Sequence, residues 1–149
     1  MPFGFFKSWF QKFEPCVIHD EVLGEVKSMR SGTWVTTIRL PKVEDPIPVE
    51  LCDTKETPGE STLLFVREIQ TEFPKVWDRL GKTLFEDVDA FGEVMSMEEF
   101  FDSFIVERIT ILNSACPFEW EIAASSSHED HLFTIHMTDF ENHGFSVDG

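Results

Sequence analysis

Apolar residues recur at every second position in three runs of the C-terminal third: Ile109 and Ile111 within residues 105–112, Phe118, Trp120 and Ile122 within 118–123, and Phe133, Ile135 and Met137 within 132–137. A period of two puts such residues on one face of a pleated strand, so the spacing predicts three half-buried strands in an antiparallel meander. Just ahead of them the period changes. Ser96 precedes the early acids Glu98 and Glu99, and Met97, Phe100, Phe101 and Phe104 fall at helical intervals, which predicts one short amphipathic helix. Helix and meander together form the expected segment 96–149.

The N-terminal half shows the same alternation most clearly over 33–40, where Trp34, Thr36, Ile38 and Leu40 oppose Val35, Thr37 and Arg39 behind a Ser31-Gly32 turn signal. Residues 17–26 are a weaker strand candidate. Ile47, Val49 and Leu51 form another, in which Pro46 and Pro48 each lack a ladder donor, so the strand is expected at an edge or with its bonded side outward. These three make a predicted meander over 17–52. A polar loop with Pro58-Gly59 then leads into a helical segment over 60–91, with Leu64, Phe65, Ile69, Phe73, Val76, Trp77 and Leu80 spaced by three and four. Pro74 cannot donate to the carbonyl of Gln70, so the helix is expected to kink or divide near Glu72 and Phe73, with Gly81 capping its first piece. Over 1–15, Phe3, Phe6, Trp9, Phe10 and Phe13 recur at three and four before Pro15, the pattern of an amphipathic helix. That helix could close over the core, form a homo-oligomer contact, or dock on a membrane surface or partner.

The elements add up to a single α+β domain over 1–149: one antiparallel sheet from the two meanders, with helices packed on one face. Trp34, Phe73, Trp77, Trp120 and Phe133 are the expected core, and the opposite face is expected to be acidic. A chain of 149 residues with 42% hydrophobic residues can bury a single core. No apolar run approaches the roughly 20 residues needed to span a bilayer.

Charge changes this picture most. The 28 acidic residues outweigh 12 basic ones for a formal charge of −16, so phosphate backbones and anionic lipid are disfavoured and a basic protein is the natural complement. Two readings of the excess stand side by side: solubility, and a binding face. Cys16, Cys52 and Cys116 are odd in number and widely spaced, which suits reduced, partly buried thiols rather than a disulfide framework. No secretory signal pattern precedes them, so cytoplasmic residence is expected.

Candidate chemistry is sparse. His128-Glu129-Asp130-His131, with His136, Asp139 and His143 beyond, combines imidazole and carboxylate as a divalent metal would require. Yet the string is not the His-Glu-x-x-His spacing, and a strand would turn His131 and His136 to opposite faces. No cofactor is therefore assigned, and His128 and His131 stay as metal candidates only. No Gly-x-Ser-x-Gly elbow or phosphate loop occurs, and no catalytic residue is assigned. Glu119 and Glu121 flank Trp120 on the outward side of a predicted strand. With Glu107, Glu129 and Asp130 they form the candidate partner-binding set.

Met97-Glu98-Glu99-Phe100-Phe101, Ile105-Val106-Glu107-Arg108-Ile109-Thr110-Ile111, Phe118-Glu119-Trp120-Glu121, Asp130-His131-Leu132-Phe133-Thr134-Ile135 and Val147-Asp148-Gly149 together resemble a family of small bacterial proteins known as a domain of unknown function. Leu23-Gly24-Glu25, the Trp34 run and residues 47–51 resemble its opening hairpins, so the likeness spans 22–149. It implies a single α+β domain. Similar families include proteins proposed as immunity proteins or as companions of toxin systems, and no catalytic residues come with the likeness. Where that family has a glycine-histidine pair, this chain has Asp130-His131, which singles out His131, with a structural role expected. The expected function is thus an acidic interaction protein, of immunity type, that neutralises a basic partner. The alternatives are a metal-dependent hydrolase using the His128/His131 region, and a structural homo-oligomer.

Overall fold

The alternating runs become strands of one sheet. A computed structural model describes residues 13–41, 43–52, 57–87, 99, 102, 104–113, 115, 117–126 and 129–148, with the backbone alone for 82–87, 126, 129–131 and 148. The strands are β1 (Val17–Asp20), β2 (Gly24–Ser28), β3 (Trp34–Ile38), β4 (Ile47–Leu51), β5 (Phe104–Asn113), β6 (Glu119–Ser126), β7 (Glu129–Thr138) and β8 (Glu141–Asp148). They pair in chain order, antiparallel throughout except for the parallel pair β4–β5. Parallel neighbours need a long crossover, and α1 (Glu60–Asp87) lies within it.

Register carries the period-two pattern across the whole sheet. One inward row runs Thr36, Val49, Ile109, Ile122, Ile135, Phe145 on successive strands, and the next runs Trp34, Leu51, Ile111, Trp120, Met137. Val49, Ile109, Ile122 and Ile135 are all 0% exposed. Thr62, Phe65, Val66, Ile69, Phe73, Val76 and Leu80 of α1 are also buried, and its apolar members form one cluster with these rows. Each such side chain removed from water contributes about 1.5–3 kcal/mol, so the sheet's inward side and the helix stripe supply most of the driving force. The hydroxyl of buried Thr36 donates to the Glu25 carbonyl at 3.1 Å, so its polar group is not stranded.

Several expectations are corrected. Residues 17–26 are two strands, β1 and β2, because Asp20 Oδ1 accepts from the Val22 and Leu23 amides at 2.9 Å each and turns the chain. The C-terminal meander has four strands, with β8 unforeseen. β4 lies between β3 and β5 rather than at an edge. Pro48 is tolerated because pairing with β5 begins only at Val49, so at Pro48 the strand has the single neighbour β3. α1 runs unbroken through Pro74 and Gly81. The apolar stripe on either side of Pro74 holds the helix together across the missing hydrogen bond. Leu64, expected in that stripe, is 45% exposed, with Thr62 and Val66 buried in its place. Glu99 and Asp102, of the expected helix at Met97, are also helical among the described residues. Val88 and Phe91 lie outside them, as do residues 1–12 with Phe3, Phe6, Trp9 and Phe10, and all of the expected helix at Met97 but Glu99, Asp102 and Phe104.

Two polar clamps join the helix to the sheet ends. Arg79 donates to the Phe140 carbonyl at 3.1 Å at the β7–β8 turn. At the other end Asp20, with a side chain 3% exposed, takes both Nε and Nη2 of Arg67. The Arg67 guanidinium, aided by the two turn amides, pulls the Asp20 carboxyl from its ordinary 3.8 down to about 2. A depressed carboxyl stabilises the fold fully above the unfolded value and loses that contribution as pH falls through the folded one. At ~1.4 kcal/mol per unit this is roughly 2 kcal/mol. Asp20→Asn should therefore cost about 2 kcal/mol in urea unfolding at pH 7, and the gap to the native protein should close between about pH 4 and pH 2. Parallel stability curves across that window would show that the pair does not act this way.

Candidate functional site

Because side chains alternate, burying one face of the sheet dictates the other. Its central row reads Lys27, Val35, Glu50, Thr110, Glu121, His136, Gly144 from β2 to β8. Beside it run Asn113, Glu119, Thr138 and, on the other side, Arg108, Ala123, Thr134, Ser146. Among the described residues no helix covers this face. It carries Glu25, Glu50, Glu107, Glu119 and Glu121, with Lys27 and Arg108 among them and Arg39 following Val35 and Thr37 on the same side.

Two bulges shape the charge. Between Val106 and Arg108 the register slips by one, so Glu107 is the extra residue of β5 and both it and Arg108 are exposed. Glu107 Oε1 accepts from Ser125 Oγ at 2.7 Å. A second slip opposite His136 and Met137 makes His143 extra in β8, bringing its ring to 6.2 Å from that of His136. Asn142 Nδ2 donates to the carbonyls of His136 and Gly144 at 3.1 and 3.0 Å and closes the bulge, where Gly144 has φ 144°. His136 Nδ1 lies 3.3 Å from Glu121. Glu25 pairs with Lys27 at 3.0 Å, a contact that lowers the Glu25 carboxyl pKa.

Of the five candidate binding acids, Glu107, Glu119 and Glu121 thus share this face around β6. Glu119 and Glu121 do flank buried Trp120. Glu129 and Asp130 open β7, but their side chains lie outside the described residues, as does that of His131; His128 lies outside altogether. The hydrolase reading that rests on His128 and His131 therefore has no described geometry. Among the described residues no group of three or more His, Cys, Asp or Glu is placed to hold a metal. Cys16 and Cys52 are exposed and in no disulfide, not partly buried as expected, and Cys116 lies outside the described residues.

Sequence reasoning missed two features. Asp139, with φ 50°, locks the β7–β8 turn onto β6. Its amide donates to the Phe118 carbonyl at 2.7 Å, its carboxylate accepts from the Phe118 amide at 3.0 Å, and its carbonyl accepts from Trp120 Nε1 at 2.6 Å. The rings of Phe65, Phe118, Trp120 and Phe140 pack around that anchor. The second is a groove of about 680 Å³ between the β3–β4 loop, α1 and the start of β5. It draws on three separate segments, so no local period could reveal it.

No family model matches the chain, and comparison with curated proteins and with solved structures finds no match either. No helix among the described residues is long and apolar enough to cross a membrane.

The acids around β6 have little structural duty and Asp139 has much. Glu119→Lys should move the urea-unfolding free energy by no more than about 0.5 kcal/mol. Asp139→Ala should cost about 1–3 kcal/mol, through a stranded amide and an alanine at positive φ, while Asp139→Asn, which tolerates both demands, should stay close to the native protein. Equal losses for Ala and Asn would contradict the anchor.

Proposed function

We propose that this protein is an acidic binding module that masks a basic protein, in the manner of an immunity protein, using the uncovered face of its sheet. The observation that carries the reading is the gathering of Glu50, Glu107, Glu119 and Glu121 on a sheet face backed by a core on its far side. Electrostatic attraction between such a face and a basic patch speeds encounter and fixes orientation, and it weakens as salt rises over a Debye length of about 8–10 Å. The net charge of −16 adds a long-range field of the same sign. Rigid strands present the acids at fixed spacing, so little ordering entropy is lost on binding.

A pull-down from native lysate tests the proposal, with captured proteins identified by mass spectrometry. The native protein should retain a basic protein at low salt and release it at high salt, and Glu107→Lys/Glu119→Lys/Glu121→Lys should fail to capture it. Capture of no basic protein, or capture indifferent to both salt and charge reversal, would overturn the reading.

A further inference from the structure

The described histidine side chains all lie on the uncovered face, among its acids. His19 stands opposite Glu25 in the β1–β2 pairing, at the far edge, where Lys27 already holds Glu25. His136 brings Nδ1 to 3.3 Å from Glu121 Oε1, and the His143 ring stacks on that of His136 at 6.2 Å and 27°. The bulge is what makes a pair of them. His143 is the extra residue of β8, held by the two bonds from Asn142 to the carbonyls of His136 and Gly144. Gly144, directly across from His136, carries no side chain, and a Cβ there would meet open space. The rings are thus fixed from behind and reachable from outside, with the side chains of His136 and Glu121 35% and 29% exposed.

The charges facing this pair are Glu119 and Glu121 on β6 and Glu141 on β8, while β7 flanks His136 with the uncharged Thr134 and Thr138. Farther along the face, β5 contributes Glu107 and Arg108. An imidazole gains or loses its charge between about pH 5 and pH 8, a range in which ordinary carboxylates stay ionised. Toward the upper end the pair is neutral and Glu121 is offered to a partner. Toward the lower end His136 is a cation within ion-pair reach of Glu121, and His143 sets a second positive charge beside it. The face then answers part of its own negative charge.

We propose that His136 and His143 form a pH-sensitive switch on the open sheet face, releasing a basic protein partner as the solution turns acidic. This rests on the reading of a basic partner on that face and adds its regulation. The sign follows from linkage. A partner cation on Glu121 and a proton on His136 compete for one carboxylate, so binding expels protons and added protons weaken binding.

The probe is deca-lysine, whose charge is constant over this range. Titrated into the full chain at fixed ionic strength and followed by NMR, it should shift the amides of residues 119–123 and 134–138. Its affinity should fall about tenfold from about pH 7.5 to about pH 5.5, the worth of two exposed charge contacts. Calorimetry in buffers of different ionisation enthalpy should show protons released on binding. His136→Gln/His143→Gln should match the native affinity at the higher pH within about twofold and keep it at the lower, with an unchanged urea midpoint. If that variant does not fold, His143→Gln alone, at an exposed position, should reduce the tenfold loss to about threefold. Equal native affinity at the two pH values, or a pH dependence that survives removal of the imidazoles, would overturn the switch and leave the sheet-face reading standing. Shifts confined to another surface, or no binding at either pH, would overturn both.

Discussion

Val49 and Ile109 lie side by side in the one parallel pairing of the sheet, both fully buried, and the rest of the architecture depends on that junction. Each half of the chain can form an antiparallel meander through short turns. Fusing the halves requires β4 and β5 to run the same way, which no tight turn allows. The crossover that solves this contains α1, and the apolar stripe of α1 lands on the rows to which Val49 and Ile109 belong. Connection and core are therefore one feature. Without the helix, Val49, Ile109, Ile122 and Ile135 would face water, and without those rows the stripe from Phe65 to Leu80 would have nothing to cover.

One-sided burial also explains why there is a surface to use. Alternation sends Glu50, Thr110, Glu121 and His136 outward because their neighbours face α1, so the acids gain a fixed spacing from a core they do not touch. The polar clamps, Asp20 with Arg67 and the Phe140 carbonyl with Arg79, tie the body of the helix to the β1–β2 and β7–β8 turns and leave the open face clear. The groove forms where the helix passes the start of β5 and stops covering it, so that Trp77 and Phe104 are only partly buried. Packing, free face and groove all trace back to where the stripe begins and ends.

Much of this can be read from the residues. Period two found β3, β6 and β7, and β5 through Ile109 and Ile111, because these alternate with one face in the core, and the helix start at Glu60 follows from Pro58-Gly59. What escaped notice was set by contacts distant in sequence or by irregular backbone. β8 carries only Phe145 and Val147 in alternation, and its His143 bulge interrupts the count. The β1–β2 turn depends on a side chain, Asp20, accepting amides two and three residues on. Pro48 looked like an edge marker, but the parallel ladder happens to start one residue later. Pro74 looked like a break, yet Ile69, Phe73, Val76 and Leu80 anchor the helix on both sides of it. The acids of the open face were identifiable at Glu107, Glu119 and Glu121. The groove beside α1 was not, since only the fold brings its three segments together.

If the junction is what unites the two meanders, they should unfold as one. Native-state hydrogen exchange measures this directly at the amides along β4 and β5, including Cys52, which donates to the Ile111 carbonyl at 3.0 Å. The account predicts that these amides exchange only through global opening, with the same free energy and the same denaturant dependence as the amides of Ile122 and Ile135. Exchange of β1 to β4 at a distinctly lower free energy, while β5 to β8 stay protected, would contradict it.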